Sequence, residues 1–377
     1  ATTHNDGDGS PVPSRAADPD ELVALAGAVR DHPGTTLEFI PTVGAFGDEH
    51  KELMTAMSLA ADRPLNWNVL VVTSMRPDGP ANQLEASDYA AERGAKVLAL
   101  TIPCVMTLYL NFRSGFIFDA LPGWAPTMAL PLEDKIKALS DPAERERLGQ
   151  AINLPEAGVF RGMLQWENLR IAETYAPQNE GLSGRVVGQI AAERGQDPFD
   201  VLCDIAIADE LRTPIKLPGT GGDEKSWQMR EAIWRDPRTV VGASDAGAHL
   251  DMTDTFAYST SMLAGVRKHN LMPVEDAVHL ITDRQARLYG ITGRGRLAEG
   301  WCADIVVFDE ATIGKGPIHT RFDLPAGAGR LFAEAEGIDH VLVNGTEIVT
   351  GKEPTGATPG TLLRSGRDTE TVTNAEA

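Results

Sequence analysis

Short β-branched runs alternate with amphipathic stretches through the first hundred residues and again near residue 240. This rhythm predicts α/β units rather than an all-helical or all-β plan. The first amphipathic stretch, 18–29, reads as a helix capped by Asp18 with Pro19 at its first position. After His32-Pro33-Gly34 come a strand at 36–40, a helix over 48–60, a strand at 65–73, a helix over 83–93 and a third strand at 96–102. The alternation then stops. Residues 104–238 carry helical segments at 132–138, 142–151, 184–194 and 199–209 with no convincing buried strand between them, so they read as one long insertion over one end of the sheet. A fourth strand at 239–243 runs into Ser244-Asp245-Ala246-Gly247-Ala248-His249, and helices follow over 255–269 and 274–289. From about residue 295 glycine-punctuated strands at 295–309 and 338–349 predict a small β domain, with a polar, loose tail after Gly366.

Charge narrows the partners. The 377 residues hold 54 Asp plus Glu against 34 Lys plus Arg, a net charge of −20, which repels phosphate backbones and anionic membrane faces. Nucleic acid and membrane are therefore not expected as partners. The most apolar stretch, 97–110, is interrupted by Thr101, Pro103 and Thr107 and falls short of the roughly 20 apolar residues of a spanning helix. Cys104, Cys203 and Cys302 lie far apart, with none of the close pairs of zinc knuckles or redox motifs, and read as the reduced thiols of a cytoplasmic protein. The chain opens on Ala1 and a polar stretch, so further sequence upstream is expected.

Parallel sheets and (β/α) barrels place reacting groups at the carboxyl ends of their strands. Asp245 meets that criterion, follows a β-rich segment among small residues, and has His249 four positions on; a helix cap is the competing role. Glu38 is an ionisable residue inside an apolar strand, either a substitute metal ligand or an exposed or paired carboxylate. Asn66 and Asn68 share one strand face, where Asn68 is a candidate for binding substrate and a polar interior accounts for both equally well. Trp124, Trp166, Trp227 and Trp234 lie in the insertion and are read as its core rather than as an acyl site. The run Gly219-Thr220-Gly221-Gly222-Asp223-Glu224-Lys225-Ser226 has Glu224 where a phosphate loop needs glycine before its lysine, and is read as an ordinary turn.

The segment Val241-Gly242-Ala243-Ser244-Asp245-Ala246-Gly247-Ala248-His249, followed by Gly293-Arg294-Gly295-Arg296-Leu297-Ala298-Glu299-Gly300 and Ala303-Asp304-Ile305-Val306-Val307-Phe308, resembles the amidohydrolase superfamily. The branch is that of D-aminoacylases, or N-acyl-D-amino-acid deacylases. Asp323-Leu324-Pro325-Ala326-Gly327-Ala328 and Gly337-Ile338-Asp339-His340-Val341-Leu342-Val343-Asn344-Gly345 agree with it. The opening residues 3–15 are similar to a loop after the fourth barrel strand.

The resemblance implies a (β/α)8 TIM barrel with a small β-sandwich, one or two zinc ions, and a catalytic aspartate at the end of the eighth strand, which maps onto Asp245 as general base and metal contact. Zinc lowers the pKa of bound water to roughly 7 and polarises the amide carbonyl, while a carboxylate carries the proton to the leaving amine. His4, in the loop like that after strand four, becomes a candidate for metal or substrate, and His249 a candidate to orient Asp245 or bind substrate. Arg330 is a candidate partner for a substrate carboxylate, with a surface ion pair as its alternative.

The chain departs from the pattern in two places. Its eight histidines, at 4, 32, 50, 249, 269, 279, 319 and 340, include no His-x-His pair. The strands matching the family's fifth and sixth, Thr36-Leu37-Glu38-Phe39-Ile40-Pro41 and Leu65-Asn66-Trp67-Asn68-Val69-Leu70, lack histidine as well. The expectation is therefore a partial (β/α)8 barrel over 1–294, with the insertion at 104–238, and part of a β-sandwich over 295–377. An amino-terminal segment or second chain is expected to complete it, and a homo-oligomer is compatible with this. The expected activity is metal-dependent hydrolysis of an N-acyl-D-amino acid. The alternatives are a non-catalytic scaffold, or a hydrolase of a cyclic amide or ester.

Overall fold

Four strands carry the alternation of the sequence into three dimensions. They are β1 (Leu37–Phe39), β2 (Leu65–Leu70), β3 (Val97–Thr101) and, seventh in chain order, β7 (Thr239–Val241), all parallel in the order β1-β2-β3-β7. The computed structural model describes residues 10–42, 44–115, 117–158, 160–244, 247 and 250–375. Helices α1 (Pro19–Gly27), α2 (Asp48–Ala61) and α3 (Gly79–Ala91) cover one face of the sheet. Alternate strand residues share a face, so Leu37, Leu65, Trp67, Val97 and Ala99 meet Met54, Met57 and Leu84 in one buried cluster. At α1 the side chain of Asp18 accepts the Glu21 N–H at 2.8 Å and Pro19 holds the first helical position, as the sequence predicts. Among the described residues no strand pairs with the outer edge of β1 or of β7, and no helix is long and apolar enough to cross a membrane.

The insertion between β3 and β7 contains helices α4 (Ala125–Met128), α5 (Leu132–Ser140), α6 (Pro142–Ala151), α7 (Phe160–Met163), α8 (Val187–Arg194) and α9 (Pro198–Ala208). Trp124 and Trp166 lie in its core, with Trp124 stacked on Phe118 at 5.2 Å and Trp166 against Phe199 at 4.8 Å. The Trp124 Nε1–H donates to Leu148 O at 3.0 Å, which satisfies the one polar atom of that ring. The sequence shows no strand here, yet β4 (Tyr109–Leu110), β5 (Arg170–Ile171) and β6 (Ile215–Lys216) form an antiparallel sheet in the order β4-β6-β5. Each is two residues long, too short for alternation to show.

Helix α10 (Glu224–Arg235), expected inside the insertion, packs instead beside β7. Its Trp227 and Trp234 pack with Val241 and with Met262 and Leu263 of α11 (Tyr258–His269), beside α12 (Val274–Ile281). Gly265 permits this approach, since a Cβ there would sit 2.5 Å from the Trp227 ring. The single helix predicted over 274–289 is broken at Thr282 into α12 and α13 (Asp283–Leu288). The break lets the Arg284 guanidinium donate to Trp234 O, Asp236 O and Thr239 O, carbonyls at the entry to β7.

Beyond α13 the chain is all β. Strands β8 (Ile305–Phe308), β13 (Ile338–Val343), β14 (Thr346–Thr350) and β15 (Glu353–Pro354) form an antiparallel sheet in the order β15-β14-β13-β8. Strand β9 (Gly314–Lys315) pairs with β12 (Ala335–Glu336), and β10 (His319–Arg321) with β11 (Arg330–Phe332). The tail expected to be loose is docked. Glu370 N–H donates to Gly290 O at 2.8 Å, Thr371 Oγ1 accepts from Gly34 N–H at 2.8 Å, and Asn374 bonds Ser58. Gly290 makes room for it, because a Cβ there would lie 2.0 Å from Glu370 O. Polarity suggested a solvated tail; here the polar groups find backbone partners on the sheet's helical layer.

Candidate functional site

On the sheet face opposite α1–α3, Leu98, Leu100 and Val240 pack with Leu288, and Tyr258 and Tyr289 close over them. The β1 edge of this face is polar. Strand register sets Glu38 beside Asn66, and the Asn68 Nδ2–H donates to Glu38 Oε1 at 2.6 Å. Asn66, 1% exposed, donates from Nδ2 to the Tyr289 hydroxyl at 3.2 Å, while its Oδ1 is buried without a hydrogen-bond partner. Burial first, then the Glu38 carboxylate and Tyr258, push the Tyr289 hydroxyl up to about 12, so it stays protonated at neutral pH and can donate a hydrogen bond to a bound acceptor.

At the carboxyl ends of β2 and β3 lies a cavity of about 600 Å³ beneath the insertion, within the ~300–1,000 Å³ range of small-molecule pockets. Val72, Ile102, Met106, Met163 and Leu217 make its walls apolar, and Cys104 and Arg230 are among its polar residues. Arg230 comes from α10, whose first turn is fixed by Asp223. That carboxylate accepts from Ser226 N–H at 3.0 Å and Ser226 Oγ at 2.6 Å, which hold it down at about 2, and the same hydroxyl accepts Ser74 N–H at 2.8 Å. The run read from the sequence as an ordinary turn thus ends in the cap of α10.

Burial pushes the Cys104 thiol up to about 12, with Asp254 adding to the shift, so Cys104 is no nucleophile at neutral pH. In the native protein iodoacetamide is expected to modify half-exposed Cys302 while sparing Cys104 and Cys203, both at neutral pH and at about pH 9, because both values lie below the raised Cys104 pKa. Peptide mass mapping checks this, and rapid native labelling of Cys104 would contradict the burial described.

A larger cavity of about 890 Å³ lies away from the strand ends, between β9, α11 and the insertion. Asp254 stands in its wall, 3% exposed. It accepts Thr107 N–H at 2.9 Å on one oxygen and the Lys315 ammonium at 2.9 Å on the other. Tyr109 N–H donates to Met252 O and Leu331 N–H to Leu250 O, both at 2.8 Å. The segment 250–255 is therefore tied to the insertion and to the β domain, and Thr255 Oγ1 closes back onto Ser244 O.

Asp245, His249 and His4 lie outside the described residues. Glu38 and Asn68 are brought together as a hydrogen-bonded pair. Arg330 is apart from them on β11, where Nε and Nη2 each donate to Asp323 at 2.7 Å, so its fork already holds a carboxylate and a substrate would have to displace it. Among the described residues no three His, Cys, Asp or Glu side chains converge to hold a metal. Sequence reasoning missed Arg230, Asp254 and Tyr289. For Arg230 a signal existed: with Trp227 and Trp234 it falls at spacings of three and four, on the buried face of its helix.

A family model described as the amidohydrolase family matches residues 161–349, half of the chain. D-aminoacylase of Alcaligenes xylosoxydans xylosoxydans is 30% identical over 186 residues, covering 48% of this chain and 34% of that protein. N-acyl-D-glutamate deacylase of the same organism is 31% identical over 205 residues, covering 53% and 37%. The chain thus spans about a third of the length of these curated relatives. A crystal structure of D-aminoacylase superposes with a TM-score of 0.50 at 20% identity, covering 92% of this chain and 59% of that one, a likeness of fold.

Proposed function

Because the chain belongs to the amidohydrolase family, we propose that it forms the strand-5-to-8 part of a (β/α)8 barrel, with part of a β-sandwich, in an enzyme that hydrolyses the amide of N-acyl-D-amino acids. The observation that carries this reading is the position of Asp245. In sequence it falls inside the family-matched residues, four beyond the last residue of β7, a strand of the parallel sheet whose neighbouring strands β2 and β3 end at a cavity of ligand size. In the proposed reaction Asp245 takes a proton from water as the oxygen adds to the carbonyl carbon. It returns the proton to nitrogen as the C–N bond breaks, leaving a carboxylic acid and a free amine. On the sheet face opposite α1–α3, the protonated Tyr289 hydroxyl and Asn68 would supply hydrogen bonds to the substrate, with the buried Asn66 amide bonded to the Tyr289 hydroxyl.

The family resemblance brings zinc with it, but the described residues do not fit that ion. Glu38 is exposed and engaged by Asn68, and no second or third ligand joins it among the described residues. The unpaired edges of β1 and β7 support an amino-terminal segment or second chain as the partner that completes the barrel, since open parallel edges expose unpaired backbone groups. A panel of N-acetyl-D- and N-acetyl-L-amino acids, assayed with the native full-length protein by release of free amine, tests the reading. Hydrolysis of D-substrates with little turnover of the L-series is expected, and equal inactivity on both would refute deacylation.

A further inference from the structure

Two arginines among the described residues are each only 3% exposed, and their guanidinium groups are satisfied differently. Arg63 donates to four backbone carbonyls, those of Ala61, Asp62, Arg30 and His32. Arg230 reaches two. Its Nη1 donates to Gly221 O at 2.6 Å and its Nη2 to Val72 O at 3.4 Å, and its Nε, like that of Arg63, is buried without a partner. A guanidinium carries five N–H donors, so most of its capacity is unused. Among the described residues no carboxylate lies within ion-pair distance of it; burial lowers its pKa, with the Asp223 carboxylate acting in the opposite direction.

Its position distinguishes it further. Val72 lies just beyond β2 and Gly221 just before α10, and the guanidinium between them lines the apolar cavity at the strand ends. A Cβ at Gly221, where φ is +77°, would come within 2.7 Å of Nη2, so glycine keeps the space that the fork occupies. Trp227 flanks the cation, its ring centre 4.7 Å from the Arg230 Cζ. In a chain of net charge −20, a buried cation facing an apolar chamber is a selective receptor for an anion with an apolar body.

We propose that Arg230 is the specificity-determining residue of this cavity, receiving the carboxylate of an N-acyl amino acid while Ile102, Met106, Met163 and Leu217 hold the apolar part. The identity of the ligand rests on the amide-hydrolase reading above; the presence of a carboxylate site does not. The test is calorimetric binding to the native full-length protein, with octanoate and octanamide as probes, beside the hydrolysis assay. Octanoate is expected to bind at least about tenfold more tightly than octanamide, the size of one charge-assisted hydrogen bond. R230Q should bring the two within about twofold, and R230K should keep part of the preference because it keeps the charge. M163W, which fills the cavity without touching Arg230, should weaken octanoate at least about tenfold and keeps the test decisive if R230Q does not fold. Absence of a carboxylate preference in the wild type, its survival in folded R230Q, or unchanged octanoate binding in M163W would overturn the assignment. Discrimination without amide hydrolysis would sink the deacylase reading alone, and hydrolysis without discrimination would sink only the role of Arg230.

Discussion

Asp245→Asn is expected to lower kcat for amide hydrolysis by about 10²–10⁴-fold with KM little changed, the usual scale for loss of a general base. Asparagine keeps the shape and hydrogen-bonding reach of the side chain but takes up no proton near neutral pH, so water is no longer deprotonated as it attacks and the amine leaves unassisted. Circular dichroism and the denaturation midpoint of the variant should match those of the parent, because asparagine and aspartate occupy nearly the same volume. The acid limb of the kcat/KM profile should also disappear, since a carboxylate that must be ionised sets it. Unchanged turnover in a folded D245N protein would remove Asp245 from the mechanism.

The parts of this fold that were legible in the sequence are those whose signal is local. Asp18 and Pro19 announce the start of α1 by themselves, and the runs holding β1, β2 and β3 are apolar enough to stand out from the helices between them. What escaped depends on contacts between distant residues. Trp227 and Trp234 mark an apolar helix face, but only packing against Val241 and Met262 assigns that face to the flank of β7 rather than to the insertion. The docking of the tail needs Gly34 and Gly290, more than 300 and about 80 residues upstream, to leave room for it. The site divides in the same way. Glu38 and Asn68 were each visible as polar residues in apolar strands, while their bond follows from a register between strands 28 residues apart. Arg230 was concealed by its charge, which reads as an exposed helix position until its spacing from two buried tryptophans is counted. Arg330 had the right chemistry for a carboxylate, and Asp323, seven residues before it, already supplies one.

Asp254→Ala is expected to destabilise the protein by about 3 kcal/mol, near the lower end of the range for breaking a buried pair from one side, because Lys315 retains some contact with water. The substitution strands two groups at once: the Lys315 ammonium, 27% exposed, and the Thr107 N–H, which loses its acceptor. Lys315→Met should cost less, since Asp254 keeps the Thr107 bond. The double variant D254L/K315M should recover part of the loss, as replacing both members of a buried pair by apolar groups often does. Urea denaturation with all four proteins measures the coupling. Catalysis adds a second readout. Asp254 and Thr255 anchor the far end of the segment whose near end is Ser244, and Asp245 lies between those anchors in sequence. D254A measured well below its unfolding transition is therefore expected to lose kcat with little change in KM, because the proposed substrate cavity at β2 and β3 is lined by other residues. A D254A protein with lower stability but full kcat would confine Asp254 to holding the β domain and insertion together.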